Sequence, residues 1–351
     1  MQYLLPAEDL DLVLSNTALF WSRFQGSRVL ITGGTGFVGS WLTQTIQNAN
    51  DKLNSKIDLI VLSRNPQRAI NIHPHMLSRR DTHLVCGDIR TFTLPEGPID
   101  LCIHAATDAD SSVNYDSPLV TFDTIVNGTR RVLDVANSRG VSRFLMTSSG
   151  AIYGTQPPNL TFIPENFIGA PNCLEVRSGY GNAKRAAEWL ACTYATNSEF
   201  AMEVIIARIF SLIGPGISLN GPFAAGNFMR NILDRKPILI EGDGRPVRSY
   251  LYMADLCIWL LSLLESGKTG EAYNVGSESP LSILDLAKKF AMATGNNYPI
   301  DLLHPNGISA LPPRYVPDTS KVRQSLQLKE NIPLDEAIKK TLRWSKLFNV
   351  L

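Results

Sequence analysis

Cysteine is scarce and scattered in this sequence of 351 residues. The five cysteines are odd in number, and no two are separated by two residues, so neither a disulfide framework nor a zinc site is indicated. We therefore expect reduced thiols in a cytoplasmic protein that binds no metal. The cysteines are Cys86, Cys102, Cys173, Cys192 and Cys257.

Net charge is also nearly absent, because 33 lysines and arginines are balanced by 32 aspartates and glutamates. A chain so close to neutrality lacks the attraction that drives binding to nucleic acid or to an anionic membrane. Long apolar runs are missing too: residues 256–264 span about nine positions, whereas a bilayer requires about 20. Residues 1–25 have no basic leader and carry Glu8, Asp9 and Asp11, which predicts no secretory signal. We expect neither a nucleic-acid nor a membrane partner.

What is present is an alternation of short apolar runs with segments of helical length. Continuous apolar runs indicate strands buried on both faces, which occur in parallel sheets covered by helices. The predicted fold is therefore α/β, with a doubly wound parallel sheet. The predicted strands lie at 29–31, 57–62, 82–85, 101–105, 143–147 and 204–209, and the predicted helices at 38–49, 118–138 and 181–197.

A glycine-rich segment, TGGTGFVG at residues 32–39, follows the first predicted strand and opens the first predicted helix. Glycine at 33 allows a tight turn, glycine at 36 lets the backbone approach a pyrophosphate, and glycine at 39 lets helix and strand pack closely. The helix N-terminus adds free N–H groups and positive potential. An ordinary glycine-rich turn is the alternative, but this placement favours a dinucleotide site. Its predicted contacts are Gly33, Thr35, Gly36, Phe37, Val38 and Gly39.

The end of the second predicted strand bears on the choice of dinucleotide. An acidic residue there would bind the ribose hydroxyls of NAD, but the sequence reads Ser63-Arg64. Ser63 leaves room for a 2′-phosphate and Arg64 can pair with it, so we predict NADP as the cofactor. NAD stays open as the alternative, since Arg64 can equally be a solvated loop residue.

Tyr180 and Lys184 are spaced to lie on one face of a predicted helix. A tyrosine is a poor base at neutral pH, but a neighbouring ammonium and a nicotinium ring favour its phenolate. Such a pair alone is most often a surface feature. It gains weight from Ser149, which lies at the carboxyl end of a predicted parallel strand, where ligand sites of α/β sheets occur.

Five further motifs follow the glycine-rich segment in order: GDIR at 87–90, IHAAT at 103–107, TSSGAIYG at 147–154, YGNAK at 180–184 and PVRSYLYMAD at 246–255. Together they resemble the extended short-chain dehydrogenases/reductases, and more narrowly the nucleotide-sugar epimerases and dehydratases. The resemblance runs from about residue 28 to residue 344. It implies a Rossmann-type domain, which we place at 27–213, and a smaller C-terminal substrate-binding lobe at 214–351, with chain crossings between them. Residues 1–26 are then an N-terminal extension, which we expect to be irregular and partly amphipathic.

The resemblance also implies roles for individual residues. Tyr180, Lys184 and Ser149 would be catalytic, with Tyr180 exchanging a hydroxyl proton while hydride moves between a hexose carbon and the nicotinamide. The smaller lobe would bind a nucleotide-diphosphate sugar, although an interlobe salt bridge is the alternative for each arginine named below. The implied cofactor contacts are Asp88, Ile89, Ala105, Ala106, Thr107, Tyr180 and Lys184, and the implied substrate contacts are Ser149, Asn227, Arg248 and Arg314.

A homodimer is a further implication of the resemblance. The helices at 118–138 and 181–197 would form a four-helix bundle between two subunits. On the second helix the apolar residues available for packing are Ala183, Ala186, Ala187, Trp189 and Leu190, although packing within one chain would look the same.

Two positions narrow the reaction. Where 4,6-dehydratases of this family have an Asp-Glu pair, and its decarboxylases keep the Glu, this sequence has Gly150 and Ala151. Neither carries a titratable group, so we expect hydride transfer at hexose carbon 4 without elimination of water. A 4-keto sugar reductase is favoured by Arg64; a 4-epimerase is the alternative, and a non-catalytic NADP-binding protein is a third hypothesis. Ser211 and Ser249 replace residues usual in the family, and they leave the sugar undefined.

Overall fold

The computed structural model describes residues 4–107, 117–197, 201–221, 223–295, 298–304 and 312–347. Its largest element is a seven-stranded parallel sheet with the strand order β11-β6-β5-β4-β1-β2-β3. The order reverses between β1 and β4, as in a doubly wound sheet, so the predicted fold class is confirmed. The strands are β1 (Arg28–Thr32), β2 (Asp58–Ser63), β3 (Thr82–Cys86), β4 (Leu101–His104), β5 (Arg143–Ser149), β6 (Glu203–Ile209) and β11 (Ala272–Val275).

Helices cover both faces of this sheet because successive strand side chains point in opposite directions. Val29 and Ile31 of β1 belong to one buried hydrophobic cluster, and Leu30 between them belongs to the other. Helices α3 (Phe37–Leu53) and α9 (Met253–Ser266) pack in the first cluster, and α6 (Pro118–Ser138) and α7 (Gly179–Thr196) pack in the second. Shorter helices α4 (Pro66–Ile72) and α5 (Pro74–Leu77) follow β2.

The N-terminal extension is helical rather than irregular. It forms α1 (Ala7–Asn16) and α2 (Ala18–Arg23), whose residues Val13, Phe20 and Trp21 are buried in the first hydrophobic cluster. Thr17 separates the two helices, and its hydroxyl donates a hydrogen bond to the Val13 carbonyl at 2.6 Å. The extension is therefore part of the core.

The smaller lobe is built from short strands and four helices within the described residues. Most of its buried hydrophobic residues belong to the same cluster as α3 and α9, on the first face of the sheet, whereas Tyr315 packs in a third cluster with Tyr153 and Phe210. Strand β11 lies in the part of the sequence assigned to this lobe, yet it pairs with β6 in the large sheet, and helix α9 packs in the first hydrophobic cluster. The remaining elements are β7 (Leu212–Ile213), α8 (Ala224–Leu233), β8 (Ile238–Ile240), β9 (Val247–Arg248), β10 (Leu251–Tyr252), β12 (Leu281–Ser282), α10 (Ile283–Ala293), β13 (Ile300–Leu302), β14 (Arg314–Tyr315), α11 (Ser320–Leu326) and α12 (Leu334–Leu347).

Two features are absent from the residues that the structure describes. No helix there is long and apolar enough to cross a membrane. The same ranges contain no group of three or more histidine, cysteine, aspartate or glutamate side chains arranged to hold a metal ion.

Candidate active site

The glycine-rich loop lies between β1 and α3 and is shaped by backbone crowding. Gly33 has φ +70°, and a Cβ on it would lie 2.7 Å from the Cα of Ala106. A Cβ on Gly39 would overlap the Gly33 carbonyl oxygen, so both positions require glycine. Gly36 is the N-cap of α3, and no side chain of the described residues caps the helix, which leaves its first-turn N–H groups for a ligand.

A neutral histidine joins β1 and β4 beneath this loop. The Thr32 hydroxyl lies 2.7 Å from Nδ1 of His104, and the Thr129 hydroxyl of α6 lies 3.0 Å from Nε2. Burial, together with the charge of Lys184, lowers the pKa of His104 to about 3, so the imidazole is uncharged at neutral pH. His104 was not among the predicted site residues; it has a supporting role behind the loop.

The ends of β2 and β3 form the adenosine side of the predicted cofactor site. Hydrogen bonds from Arg90 lower the pKa of Asp88 to about 2, with a smaller contribution from the charge of Arg64. Arg90 also donates to Asp123 of α6 at 2.5 Å, so Asp88 is held by a charged network. Ile89 is buried next to Gly128 of α6, where a Cβ would lie 2.8 Å from it. Arg64 therefore lies near the carboxylate of Asp88, which follows β3.

The three residues predicted to be catalytic come together where β5 meets α7. Ser149 is the last residue of β5, and its oxygen accepts the Ala151 N–H at 3.1 Å. The Ser149 hydroxyl also interacts with the Tyr180 phenol. The Lys184 ammonium donates to the Thr107 hydroxyl at 2.7 Å and to the Thr147 carbonyl at 2.8 Å. The loop after β4 is thus joined to the same site.

Burial governs the protonation of this site. It raises the pKa of Tyr180, and the interaction with Ser149 opposes the rise. It lowers the pKa of Lys184 to about 8, and the negative charge of Glu188 opposes the fall. The expected lowering of the Tyr180 pKa by Lys184 is not seen here, because the ammonium is directed to Thr107 and Thr147 instead.

The structure separates the two arginines predicted to bind a diphosphate. Arg248 and Tyr315 are register partners in the small sheet β12-β9-β14, and Arg314 is paired with Val247. Because neighbouring side chains on a strand point to opposite faces, Arg314 lies on the other face from Arg248. Arg314 donates to the Thr161 carbonyl at 3.5 Å, whereas Arg248 donates to the Val247 carbonyl at 2.9 Å.

Asn227 lies on α8, at a cleft of about 210 Å³ in the smaller lobe. Pro246, two residues before Arg248, lines the same cleft, but Arg248 itself is not among the lining residues. The cleft is also lined by Phe228, Arg230, Asn231, Leu239, Ile240 and Glu241.

Two aromatic residues of the site were missed by the sequence analysis. A Cβ on Gly150 would lie 2.6 Å from both the Tyr315 hydroxyl and Cζ of Phe210. The Ser149 hydroxyl interacts with the Tyr315 phenol as it does with Tyr180. The only sequence signal was the unusual pair Gly150-Ala151, which indicated free space there but not its occupant.

The residues present fit a nicotinamide dinucleotide. The loop at Gly33, Gly36 and Gly39 has the close backbone approach that a pyrophosphate requires, and the uncapped start of α3 supplies N–H donors. Lys184 and Thr107 lie at the carboxyl edge of the sheet, on the side of β4 and β5. Ser63 ends β2, which lies on the other side of the point where the strand order reverses. The two ends of such a cofactor thus have separate sets of polar partners.

Comparison with known proteins finds relatives over most of this chain. A family model described as "NAD dependent epimerase/dehydratase family" matches residues 29–276. UDP-glucuronic acid decarboxylase 2 of Arabidopsis thaliana is 32% identical over 319 residues, which are 90% of this chain and 67% of that protein. UDP-glucuronic acid decarboxylase 1 of Xenopus tropicalis is 28% identical over 325 residues, 93% of this chain and 73% of that protein.

Solved structures share the fold. UDP-glucose 4-epimerase of Thermotoga maritima superposes with a TM-score of 0.78 at 23% identity, covering 92% of this chain and 99% of that one. UDP-glucuronic acid 4-epimerase of Bacillus cereus, solved with UDP-glucuronic acid and NAD, gives a TM-score of 0.77 at 22% identity, covering 92% and 99%.

Proposed function

The chain belongs to the NAD dependent epimerase/dehydratase family, and from that membership we propose that it transfers hydride at carbon 4 of a nucleotide-linked hexose. It is an enzyme of the extended short-chain dehydrogenase/reductase class and acts on a nucleotide sugar. The proposed reaction is reduction of a 4-keto sugar; 4-epimerisation through a transient ketone is the alternative.

One observation carries the proposal: a complete proton-transfer site lies next to two positions that hold no acid. Ser149, Tyr180 and Lys184 meet at the carboxyl end of β5, and the next two residues are Gly150 and Ala151. Elimination of water across carbons 5 and 6 needs an acid and a base besides the tyrosine. The next titratable side chain in the sequence, Tyr153, is buried, and its phenol donates to the Asn274 side chain at 2.8 Å.

The protein residues would act on the carbon-4 oxygen. A bound nicotinamide dinucleotide would supply the hydride to carbon 4 in a reduction. Tyr180 would give its phenol proton to the carbonyl oxygen, which becomes the hydroxyl, and Ser149 would donate a hydrogen bond to that oxygen. Two of the three N–H donors of Lys184 are used by Thr107 and Thr147, so the third would remain for the cofactor ribose.

Decarboxylation is the competing activity that the named relatives suggest. Oxidation at carbon 4 of a hexuronic acid gives a β-keto acid, and the family's decarboxylases keep a glutamate where this chain has Ala151. Because Ala151 has no carboxylate, this position favours the proposed hydride transfer over decarboxylation.

The smaller lobe would bind the nucleotide diphosphate. Arg248 supports this role, because burial lowers its pKa and its two hydrogen bonds to residues that the structure describes go to the neutral carbonyls of Val247 and Pro313. Such a guanidinium favours an anionic oxygen as ligand. Asn227 at the neighbouring cleft would contact the nucleoside side. Arg314 would then contribute from the opposite face of the small sheet.

NADP is the proposed cofactor, with NAD as the candidate that the family description supports. Arg64 supports NADP because it follows β2 at the position of the ribose 2′ substituent. A reductase consumes reduced cofactor in each turnover, whereas an epimerase restores its NAD; the cofactor and the reaction are therefore linked.

A homodimer in the cytoplasm completes the proposal. Leu119 on α6 and Trp189 on α7 are exposed in the single chain, on the helices expected to form the interface. Ala183 and Ala187, also expected at that interface, face the core of their own chain instead.

A panel of sugars tests the proposal. Wild-type protein is incubated with NDP-4-keto-6-deoxyhexose and NADPH, with NDP-glucose and NAD, and with UDP-glucuronate and NAD, and products are read by NMR. We expect NADPH oxidation with the keto sugar, lost in Tyr180→Phe and kept in Tyr298→Phe, which removes a phenol bonded to Ile232 in the smaller lobe. Release of CO2 or a 4-keto-6-deoxy product would refute it, and interconversion of carbon-4 epimers without net NADPH consumption would favour the epimerase. No turnover at all would favour the non-catalytic hypothesis.

A further inference from the structure

Tyr315 reaches the candidate active site from a distant part of the chain. It lies in β14, and its hydroxyl is 2.6 Å from the place where a Cβ on Gly150 would be. The Ser149 hydroxyl interacts with both the Tyr315 and the Tyr180 phenols. Three hydroxyl groups therefore converge at the end of β5, and the sequence motifs contain only two of them.

The hydrogen bonding of Ser149 makes this third hydroxyl significant. The Ser149 oxygen already accepts the Ala151 N–H at 3.1 Å, and its single O–H proton can be given to only one acceptor at a time. Tyr180, Tyr315 and a sugar oxygen thus compete for that proton. When a sugar oxygen takes it, the Tyr315 hydroxyl is left facing the substituents on the carbons next to the reacting one.

Several contacts hold Tyr315 in this position. Its ring packs on Phe210 with centroids 4.6 Å apart, and the Arg248 guanidinium lies over it at 5.7 Å. The next residue, Val316, donates its N–H to Gln156 at 3.0 Å. The phenol is therefore fixed before a sugar binds, which is what a selective contact requires.

The groups nearest to Gly150 are aromatic and carry no charge. The three atoms nearest to the virtual Cβ of Gly150 belong to Phe210 and Tyr315. Burial raises the pKa of Tyr315, so its hydroxyl remains a hydrogen-bond donor across the neutral range. A carboxylate pressed against these two rings would lose hydration, and the cation beside them, Arg248 over the Tyr315 ring, is the residue proposed to bind the diphosphate. A hydroxyl or a methyl group on carbon 6 needs no cation.

We propose that Tyr315 is a specificity-determining residue of the sugar site, which donates a hydrogen bond to a neutral substituent beside carbon 4 and selects hexoses with an uncharged carbon 6 over hexuronic acids. The proposal rests on the proposed function, because it assumes that Ser149 and Tyr180 bind the carbon-4 oxygen. It assigns to this chain a sugar class different from that in the names of its decarboxylase relatives.

Binding measurements test this without requiring turnover. Wild type, Tyr315→Phe and the control Tyr298→Phe would each be titrated in a calorimeter. The ligands are UDP, UDP-glucose and UDP-glucuronate, and also dTDP, dTDP-glucose, GDP and GDP-glucose. We expect wild type to bind the hexose form more tightly than the uronate. In Tyr315→Phe the hexose affinity should fall about 5-fold, as for one neutral hydrogen bond, while binding of the bare nucleotide is unchanged. Tyr298→Phe should match wild type.

Kinetics provide the second measurement. With an accepted keto sugar, Tyr315→Phe should raise KM with little change in kcat, whereas loss of a catalytic group would lower kcat. The retained ring preserves the packing on Phe210, and circular dichroism would verify the fold. Unchanged discrimination in Tyr315→Phe, or a wild-type preference for the uronate, would overturn the inference. If wild type transfers no hydride but Tyr315→Phe alters hexose binding, the proposed reaction fails and the inference stands; if no nucleotide sugar binds, both fail.

Discussion

Glu188 and Arg208 form a buried, doubly hydrogen-bonded ion pair one helical turn beyond Lys184. Arg208 donates to the Glu188 carboxylate from Nη2 at 2.8 Å and from Nε at 3.1 Å, and the Ser148 hydroxyl donates to the same carboxylate at 2.5 Å. The Glu188 charge favours the ammonium form of Lys184, against the burial that lowers its pKa to about 8. The pair therefore acts on the protonation of the candidate active site.

The first prediction concerns the pH dependence of activity. If the Lys184 ammonium is required, activity should be retained below its folded pKa and lost as the pH rises through about 8. In Glu188→Gln the supporting charge is gone, so this alkaline limb should move to lower pH. The rate of hydride transfer measured between pH 6 and pH 10 checks both statements.

A control separates this electrostatic effect from loss of structure. Breaking the buried pair alone costs about 3 to 5 kcal/mol of stability, because Arg208 keeps an uncompensated charge. The double variant Glu188→Gln/Arg208→Met removes both charges and should recover much of that stability. An alkaline limb that stays at the wild-type pH in a folded Glu188→Gln protein would contradict the prediction.

The second prediction concerns the convergence at Ser149. Tyr180→Phe should lower kcat about 10²- to 10⁴-fold, as expected for loss of a general acid. Ser149→Ala should lower it less, because it removes a hydrogen bond and not the proton donor. Thermal unfolding and cofactor titration would show that both proteins still fold and bind the dinucleotide. Equal activity of Tyr180→Phe and wild type would exclude the proposed chemistry.

The sheet and the central site could be predicted from the sequence for a physical reason. Strands buried on both faces appear as continuous apolar runs, and the glycine spacing reflects backbone crowding at Gly33 and Gly39. The bounds of α6 were predicted to the residue, 118–138, because proline starts this helix and polar residues end its apolar periodicity. Ser149 lies in a motif at the end of β5, and Tyr180 and Lys184 lie in a motif on α7, which packs against the same sheet.

The missed features depend on contacts between distant segments. Tyr315 lies in a two-residue strand that has no periodicity, and only its pairing with Arg248 brings it to Ser149. Because Arg314 precedes Tyr315 on the same strand, its side chain lies on the opposite face of the small sheet. The direction of the Tyr180 pKa shift was also beyond sequence reasoning, since it depends on burial and on Lys184 binding Thr107.

The third prediction concerns the cofactor. If Arg64 pairs with a 2′-phosphate, Arg64→Ala should weaken NADPH binding by about 1.5 to 3 kcal/mol and leave NADH binding nearly unchanged. Fluorescence titration of both reduced cofactors gives the two affinities. Arg68→Ala, in α4 shortly after Arg64, is the matched control for loss of one positive charge. NADH binding that equals or exceeds NADPH binding in wild type would contradict NADP and support NAD.

The fourth prediction concerns the homodimer. Trp189 is 69% exposed on α7 in the single chain, although tryptophan is among the residues most often found at the centre of interfaces. Trp189→Glu should weaken the dimer by about 2 kcal/mol or more, which is about 30-fold in Kd. Leu347→Glu at the end of α12, 74% exposed, should leave assembly unchanged. Sedimentation velocity at micromolar concentration measures both; a monomeric wild type would exclude the dimer.

The last prediction concerns Asp9, which fastens the N-terminal extension to the smaller lobe. Asp9 is fully buried; Tyr252 donates to it at 2.6 Å and Lys340 of α12 at 2.8 Å. Lys340→Met leaves this carboxylate without its cation and should cost about 3 to 5 kcal/mol of unfolding free energy at neutral pH. Lys288→Met, which breaks an exposed pair with Asp285 at 3.2 Å, should cost about 0.5 kcal/mol or less.

The pH dependence of this deficit distinguishes a buried charge from lost packing. Burial raises the pKa of Asp9, and loss of Lys340 should raise it further, so the folded variant binds a proton that the unfolded chain releases at lower pH. Its stability should therefore fall, relative to wild type, as the pH rises from about 4 toward 8. Asp9→Asn/Lys340→Met should remove that pH dependence, because no charge remains to be buried. Denaturant unfolding at several pH values measures this, and a deficit independent of pH would mean that Lys340 acts through packing alone.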